Sequence, residues 1–133
     1  MAQERGSARV SVTAVVMMVA MAMVLHCGRA KTYTVGDGQN GWTTNVNKSK
    51  WAKANLQGKT SFKAGDILVF KYTNIHNLVE VSKKGYDSCT TAGQKFSKTS
   101  GNDKITLSKG PHYYICSKPG HCTSGMKIAV TAN

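Results

Sequence analysis

The feature that most constrains this chain is a short C-terminal segment in which three metal-binding side chains recur at equal intervals. Cys116, His121 and Met126 stand five residues apart in turn, and each ends in a soft or borderline donor atom. Pro119-Gly120 lies in the first gap and Ser124-Gly125 in the second, so both gaps favour turns. A tight loop of this kind can point three donors inward at one ion, which predicts a metal site.

One more imidazole would complete the site, and the chain has four histidines from which to choose. His26 lies in an apolar N-terminal stretch that we expect to be removed. His112 belongs to a strand-like run that would point it along or away from the loop, toward solvent. His76 lies in the short connection between two strand-like runs, a position that can face a metal. Two imidazoles, a thiolate and a weak axial thioether are the ligands of blue-copper electron-transfer sites.

Other interpretations of these residues stand beside copper. Taken alone, Met126 could be a core residue of a final strand, and His76 and His121 could be surface groups. Structural zinc is the rival metal, although structural zinc sites prefer further Cys or His ligands to Met. A metal that activates water keeps an open coordination position, whereas four protein ligands leave none. We therefore predict an electron-transfer site and not an enzyme.

On these residues the chain resembles the phytocyanins, the plant cupredoxins, and within them the plantacyanins or basic blue proteins. The resemblance covers nearly all of residues 31–133. It is carried by His76-Asn77, by Cys116-x4-His121-x4-Met126, and by the stretches at 33–37 (Tyr-Thr-Val-Gly-Asp), 62–66 (Phe-Lys-Ala-Gly-Asp) and 126–130 (Met-Lys-Ile-Ala-Val). The resemblance implies a cupredoxin domain with one type 1 copper ion, bound by His76, Cys116, His121 and Met126, that passes single electrons.

Cysteine counting fits this interpretation. Cys27 lies in the N-terminal stretch that we expect to be removed, which leaves three cysteines. This odd number suits one disulfide and one metal thiolate. The resemblance assigns the disulfide to Cys89 and Cys122 and the thiolate to Cys116. It also implies that Asn77 and Ser117, which each follow a ligand directly, hydrogen-bond to one another and to the thiolate, and so orient the site.

The N-terminus has the order of regions found in secretory signal peptides. Arg5 and Arg9 supply positive charge, residues 10–25 are largely apolar, and Gly28-Arg29-Ala30 offers small residues for cleavage. We predict a signal peptide over 1–30 and one phytocyanin domain over 31–133, secreted to the extracellular space or cell wall. The alternative is a membrane anchor, but the apolar run is shorter than the ~20 residues that span a bilayer.

Charge narrows the choice of partners. Residues 31–133 contain 15 Lys, no Arg and five acidic residues, a formal net charge of +10. Nucleic acid is not expected, because the protein would lie outside the cell and lacks Arg for bidentate contacts to bases. A redox protein, a small-molecule reductant or anionic wall polysaccharide fits better. The lysines could instead serve only to keep a monomer soluble.

The resemblance leaves a second function open. Chemocyanin-like members of the family act as secreted signalling or wall-binding proteins in reproductive tissue, and copper would then be secondary. Survival of signalling after loss of Cys116 would distinguish this function from electron transfer.

The pattern of short strand-like runs between turns predicts an all-β, Greek-key β-sandwich of the cupredoxin type with one short helix. The helical character lies within 45–57. At 50–59 the chain lacks the Trp-Pro-x-Gly-Lys turn common in plantacyanins, which leaves the local conformation open. Asn47 begins the sequon Asn47-Lys48-Ser49 and is a candidate glycosylation site. We expect Glu80 to point outward from its strand.

Overall fold

The computed structural model of the chain describes residues 11–26 and 30–133, with ten helices and strands in that part. In chain order these are α1 (Val12–His26), β1 (Thr32–Thr34), α2 (Lys48–Leu56), β2 (Ile67–Lys71), β3 (Leu78–Val81), α3 (Lys83–Ser88), β4 (Phe96–Lys98), β5 (Asn102–Thr106), β6 (Gly110–Ile115) and β7 (Lys127–Ala132).

Two sheets make up the domain, and the predicted β-sandwich is confirmed. One sheet has the order β1-β2-β5 and the other the order β4-β3-β6-β7. β1 pairs with β2 in parallel, and the other strand pairs are antiparallel. β6 and β7, which border the predicted ligand loop, are joined by six residue pairs from Gly110–Ala132 to Ile115–Lys127. The loop between them therefore starts and ends on rigid structure.

A cluster of aromatic side chains forms the centre of the core. Trp42, Phe70 and Tyr114 are each fully buried. The Trp42 and Phe70 rings meet edge to face at 5.0 Å, and Phe70 and Tyr114 lie 5.2 Å apart. Cys116 and Met126 belong to the same buried cluster. These two proposed ligands thus lie among close-packed core residues, whose positions change little.

Helix α2 confirms the helical character expected within 45–57. It begins at an N-cap formed by Asn47, whose Oδ1 accepts a hydrogen bond of 2.8 Å from the backbone N–H of Lys50. The apolar face buries Trp51 and Ala52. The helix ends at Gln57 in the left-handed conformation, a common way to stop a helix. Without a proline, the unusual segment at 50–59 can continue as helix through Leu56.

The cap leaves the sequon accessible. Asn47 is exposed, and its capping bond uses only the side-chain oxygen, so the amide nitrogen that would carry a glycan is not engaged by the cap. Glycosylation at Asn47 stays a prediction.

Helix α3 is a second short helix that the sequence pattern does not predict. Its N-cap is Ser82, and it contains Gly85, a residue that disfavours helix. A Cβ added at Gly85 would lie 2.6 Å from the carbonyl oxygen of Ala92. The glycine is therefore needed for close packing against the following loop, a tertiary requirement with no periodic signature.

The expected orientations of Glu80 and His112 are wrong. Both are buried, at 5 % and 6 % exposure. His112 Nδ1 lies 2.8 Å from Glu80 Oε1, and its Nε2 lies 2.7 Å from the carbonyl oxygen of Ser108. Both ring nitrogens therefore lie at hydrogen-bond distance from a partner. Burial of the two side chains is possible because their polar atoms are hydrogen-bonded.

Helix α1 covers part of the predicted signal peptide. Apart from Ala14, its described side chains, from Val12 to Val19, are exposed although nearly all are apolar. In the ranges 11–26 and 30–133, no helix combines the length and apolar character needed to cross a membrane. The predicted basic region at Arg5 and Arg9 and the first residues of the cleavage motif lie outside the described residues.

Candidate metal centre

Three of the four predicted ligands converge at one end of the domain. One donor atom each from His76, Cys116 and His121 can be chosen so that all lie within 4.8 Å of one another. His76 Nδ1 is 3.0 Å from His121 Nδ1, and Cys116 Sγ is 3.4 Å from the same nitrogen. Cys116 is fully buried and His76 is 7 % exposed. The site is thus an interior cluster of two imidazoles and a thiol.

Backbone hydrogen bonds set the conformation of the loop at 116–126. Cys116 directly follows β6, and Met126 directly precedes β7. The N–H of Cys116 donates to the carbonyl of Met126 at 3.1 Å, and the N–H of Met126 donates to the carbonyl of His121 at 3.0 Å. These two hydrogen bonds link the backbones of Cys116, His121 and Met126. Met126 is fully buried and belongs to the same core cluster as Cys116.

Asn77 joins the two segments that supply the ligands. Its Nδ2 donates to Ser117 Oγ at 2.7 Å, and its Oδ1 accepts from the N–H of Ser117 at 2.8 Å. Its backbone carbonyl accepts from Trp42 Nε1 at 2.8 Å. The neighbours of His76 and Cys116 are therefore bonded to each other and to the aromatic core. The implied hydrogen bond to the Cys116 thiolate stays a prediction.

The predicted disulfide between Cys89 and Cys122 is confirmed, with their Cα atoms 5.6 Å apart. Cys89 ends helix α3, and Cys122 follows His121 in the ligand loop. In the part of the chain that the structure describes, Cys116 is the free cysteine. The disulfide anchors the loop while leaving one thiol for a metal.

Electrostatics favour the metal-binding form of His76. Burial, the neighbouring His121 ring and the charge of Lys48, in that order, lower the pKa of His76 below its ordinary value. The neutral imidazole, which has a free lone pair for a metal, is therefore favoured.

The donor set fits copper better than structural zinc. Thiolate and thioether sulfurs suit Cu(I), and imidazole suits both oxidation states of copper. A structural zinc site with this loop would need another Cys or His. Among the described residues the metal cluster contains only His76, Cys116 and His121, and Met126 is the fourth candidate.

Comparisons with known proteins agree with this chemistry. A family model described as the plastocyanin-like domain matches residues 42–126. The chain is 47 % identical over 133 residues to chemocyanin of Lilium longiflorum, covering 99 % of each protein.

Solved structures give the same result. Cucumber basic protein, a blue copper protein, is 49 % identical with a TM-score of 0.64, and the match covers 77 % of this chain and 99 % of that one. Spinach plantacyanin is 45 % identical with a TM-score of 0.60, at the same coverages of 77 % and 99 %. Copper is the cofactor that these comparisons and the three converging donors together support. The chain belongs to the plastocyanin-like family of blue copper proteins, in the phytocyanin branch that includes the plantacyanins and basic blue proteins.

Proposed function

We propose that residues 31–133 form a secreted type 1 copper protein that carries single electrons between extracellular redox partners. His76, Cys116 and His121 would bind the ion closely, and Met126 would be the weak axial ligand. The observation that carries this proposal is the convergence of two imidazole nitrogens and one buried thiol within 4.8 Å. Bound copper would supply a centre that gains and loses one electron.

The surroundings of the site suit electron transfer because they restrict movement. Core packing, the bonds between Asn77 and Ser117, and the disulfide at Cys122 all limit displacement of the ligands. A site that keeps its geometry needs little reorganisation when the charge of the ion changes. Four protein ligands would also leave no position for a substrate, unlike the open site of a catalytic metal.

The axial role of Met126 predicts a change in reduction potential. In Met126→Gln, a harder oxygen donor should favour Cu(II), so the potential should fall while the blue colour remains. Cyclic voltammetry of the copper-loaded variant and the parent protein measures the difference. Met126→Leu is the control for lost sulfur without a new donor, and it should not lower the potential. An unchanged or raised potential in Met126→Gln would show that Met126 is not axial.

The surface near the site offers a place for a partner to dock. His121 is only partly buried, Ile75 beside His76 is 62 % exposed, and Lys118 in the ligand loop is exposed. An apolar side chain at the centre of a contact, with charge around it, is the usual composition of a protein interface. We infer that electrons enter and leave here.

A basic docking protein should show salt-dependent kinetics. Of the 15 lysines, 12 are exposed, and the net charge of the domain is +10. We expect stopped-flow electron exchange with an anionic redox partner to slow as salt rises, because exposed charges are screened beyond a Debye length of ~10 Å at 0.1 M. A neutral small-molecule reductant serves as the control. A rate constant for the anionic partner that does not depend on salt would contradict a basic docking face.

Secretion is part of the proposal and has separate support. A disulfide persists in oxidising compartments such as the extracellular space. The exposed apolar side chains of α1 suit a segment that is removed and does not pack on the domain. N-terminal sequencing of protein collected from the culture medium should start near Lys31, and retention of the whole chain inside cells would contradict secretion.

The exposed lysines favour a second candidate function, a secreted signalling or wall-binding protein whose copper is secondary. Such a protein would bind anionic polysaccharide through its surface charge. Binding to pectin that persists in Cys116→Ser, together with signalling that persists, would support it. Loss of signalling along with copper would favour electron transfer.

A further inference from the structure

Lys48 is an unusual residue for its position. It is the first residue of helix α2 and is 2 % exposed. Its Nζ has no hydrogen-bond partner within 11–26 and 30–133. Most buried lysines are paired, so a buried amine with no partner needs an explanation. Sequence patterns do not reveal it, because the residue lies in a polar segment where a lysine would normally be solvated.

This position is energetically unfavourable on three counts. The amine is removed from water, it has no counter-charge at hydrogen-bond distance, and it belongs to the first residue of a helix, whose dipole is positive there. Burial lowers the pKa of Lys48 to about 8, and the nearby Cys116 thiolate offsets part of this effect. Below that pH the side chain still carries its charge. Groups kept at such a cost are concentrated at functional sites.

The location of the amine explains what it could act on. Lys48 Nζ lies 5.7 Å from the centroid of the Trp42 ring, where a cation is attracted to the aromatic face. The indole N–H of Trp42 donates to the carbonyl of Asn77, which follows His76. The charge of Lys48 also contributes to the lowered pKa of His76. The Trp42 ring thus lies between the amine and the segment that carries His76, and it packs in the same buried cluster as Cys116.

We propose that the buried ammonium group of Lys48 raises the reduction potential of the copper site. When a redox partner gives up one electron, the site gains it and its net charge becomes less positive by one. A fixed positive charge nearby stabilises the reduced form relative to the oxidised form. Because the Nζ atom is buried, solvent should screen its charge poorly, and its effect should exceed that of a surface lysine. The inference rests on the proposed copper function of the same site.

The test compares Lys48→Met with Lys50→Met. Met has a similar length and no charge, and Lys50 is an exposed residue of the same helix. At pH 6, where Lys48 is charged, the equilibrium constant for reduction by a fixed mediator should fall at least tenfold in Lys48→Met, about 59 mV for a one-electron couple. In Lys50→Met it should change less than twofold.

Salt separates a buried charge from a surface charge. The difference in potential between Lys48→Met and the parent protein should be the same at low and high salt, because buried charges are poorly screened. A difference that vanishes at high salt would overturn the inference, since it would show a solvated amine.

The copper-free protein gives a second measurement. Removing an unpaired buried charge should raise the thermal unfolding temperature of copper-free Lys48→Met, whereas Lys50→Met should leave it nearly unchanged. A lower unfolding temperature would show that contacts stronger than the one with the Trp42 ring hold the amine, contrary to the inference that its charge is unpaired. If Lys48→Met does not fold, Lys48→Gln answers the same questions.

The outcomes also separate this inference from the proposed function. If Lys48→Met stays blue and its equilibrium constant for reduction is within twofold of the parent value, the role of Lys48 is overturned. The electron-carrier function would then remain intact. A parent protein with no blue form and no reversible couple would overturn both.

Discussion

Replacing Cys116 with Ser is expected to abolish the blue colour of the copper-loaded protein while leaving a folded domain with its disulfide. Cys116 is fully buried, and its Sγ contacts His121 Nδ1 at 3.4 Å. Serine fits the space but offers no thiolate, so the charge transfer from sulfur to Cu(II) that produces the colour is lost. The disulfide uses Cys89 and Cys122 and is not affected. Visible absorption reports the site, and non-reducing mass spectrometry reports the disulfide.

Thr123→Ser is a matched control for this change. Thr123 is exposed in the same loop, and its hydroxyl donates to the carbonyl of Gly120 at 3.1 Å, a bond that serine can also make. This variant should keep the full colour. A Cys116→Ser protein that remains blue, or peptide mapping that finds Cys116 disulfide-bonded in the parent protein, would remove Cys116 from the copper site.

Replacing Cys89 with Ser is expected to have the opposite effect, a large loss of stability with the metal thiolate still present. The disulfide links residues separated by 33 positions. In the chain-entropy model such a cross-link stabilises the folded state by ~3–4 kcal/mol, which is a large part of the stability of a small domain. The loop that carries His121 would also lose its anchor. We therefore expect looser copper binding and dimers formed through the unpaired Cys122.

The measurement is the free energy of unfolding in urea, together with mass spectrometry under non-reducing conditions. The double variant Cys89→Ser/Cys122→Ser is the control, because it lacks the disulfide but has no free thiol at 122. It should be as unstable as Cys89→Ser and should remain monomeric. A loss of stability below about 1 kcal/mol in both variants would show that the disulfide does not hold the fold together.

The convergence of the metal ligands could be predicted because the relevant information is local. The spacing of Cys116, His121 and Met126 within one turn-rich loop restricts where their side chains can point. His76 required one more step, its place between two strands. The pairing of Cys122 with Cys89 and the roles of Asn77 and Ser117 could be predicted only from the family resemblance. No short-range pattern specifies contacts between residues 33 or 40 positions apart.

The features that were missed depend on long-range packing. Glu80 and His112 look like solvent-facing residues in sequence, and only the pairing of β3 with β6 brings them together as buried partners. Gly85 disfavours a helix in sequence, and only the structure shows that close packing against Ala92 requires a glycine there. Lys48 is a common surface residue type, and nothing near it in sequence indicates that it is buried beside Trp42. In each case tertiary contacts outweigh local preference.

The visible absorption spectrum of the copper-loaded parent protein tests the central claim most directly. A site with two imidazoles, the Cys116 thiolate and an axial Met126 should give an intense blue band from charge transfer between thiolate and Cu(II). The band should disappear on reduction and return on reoxidation. A colourless copper complex, or preference for zinc with no blue form, would contradict the electron-carrier account.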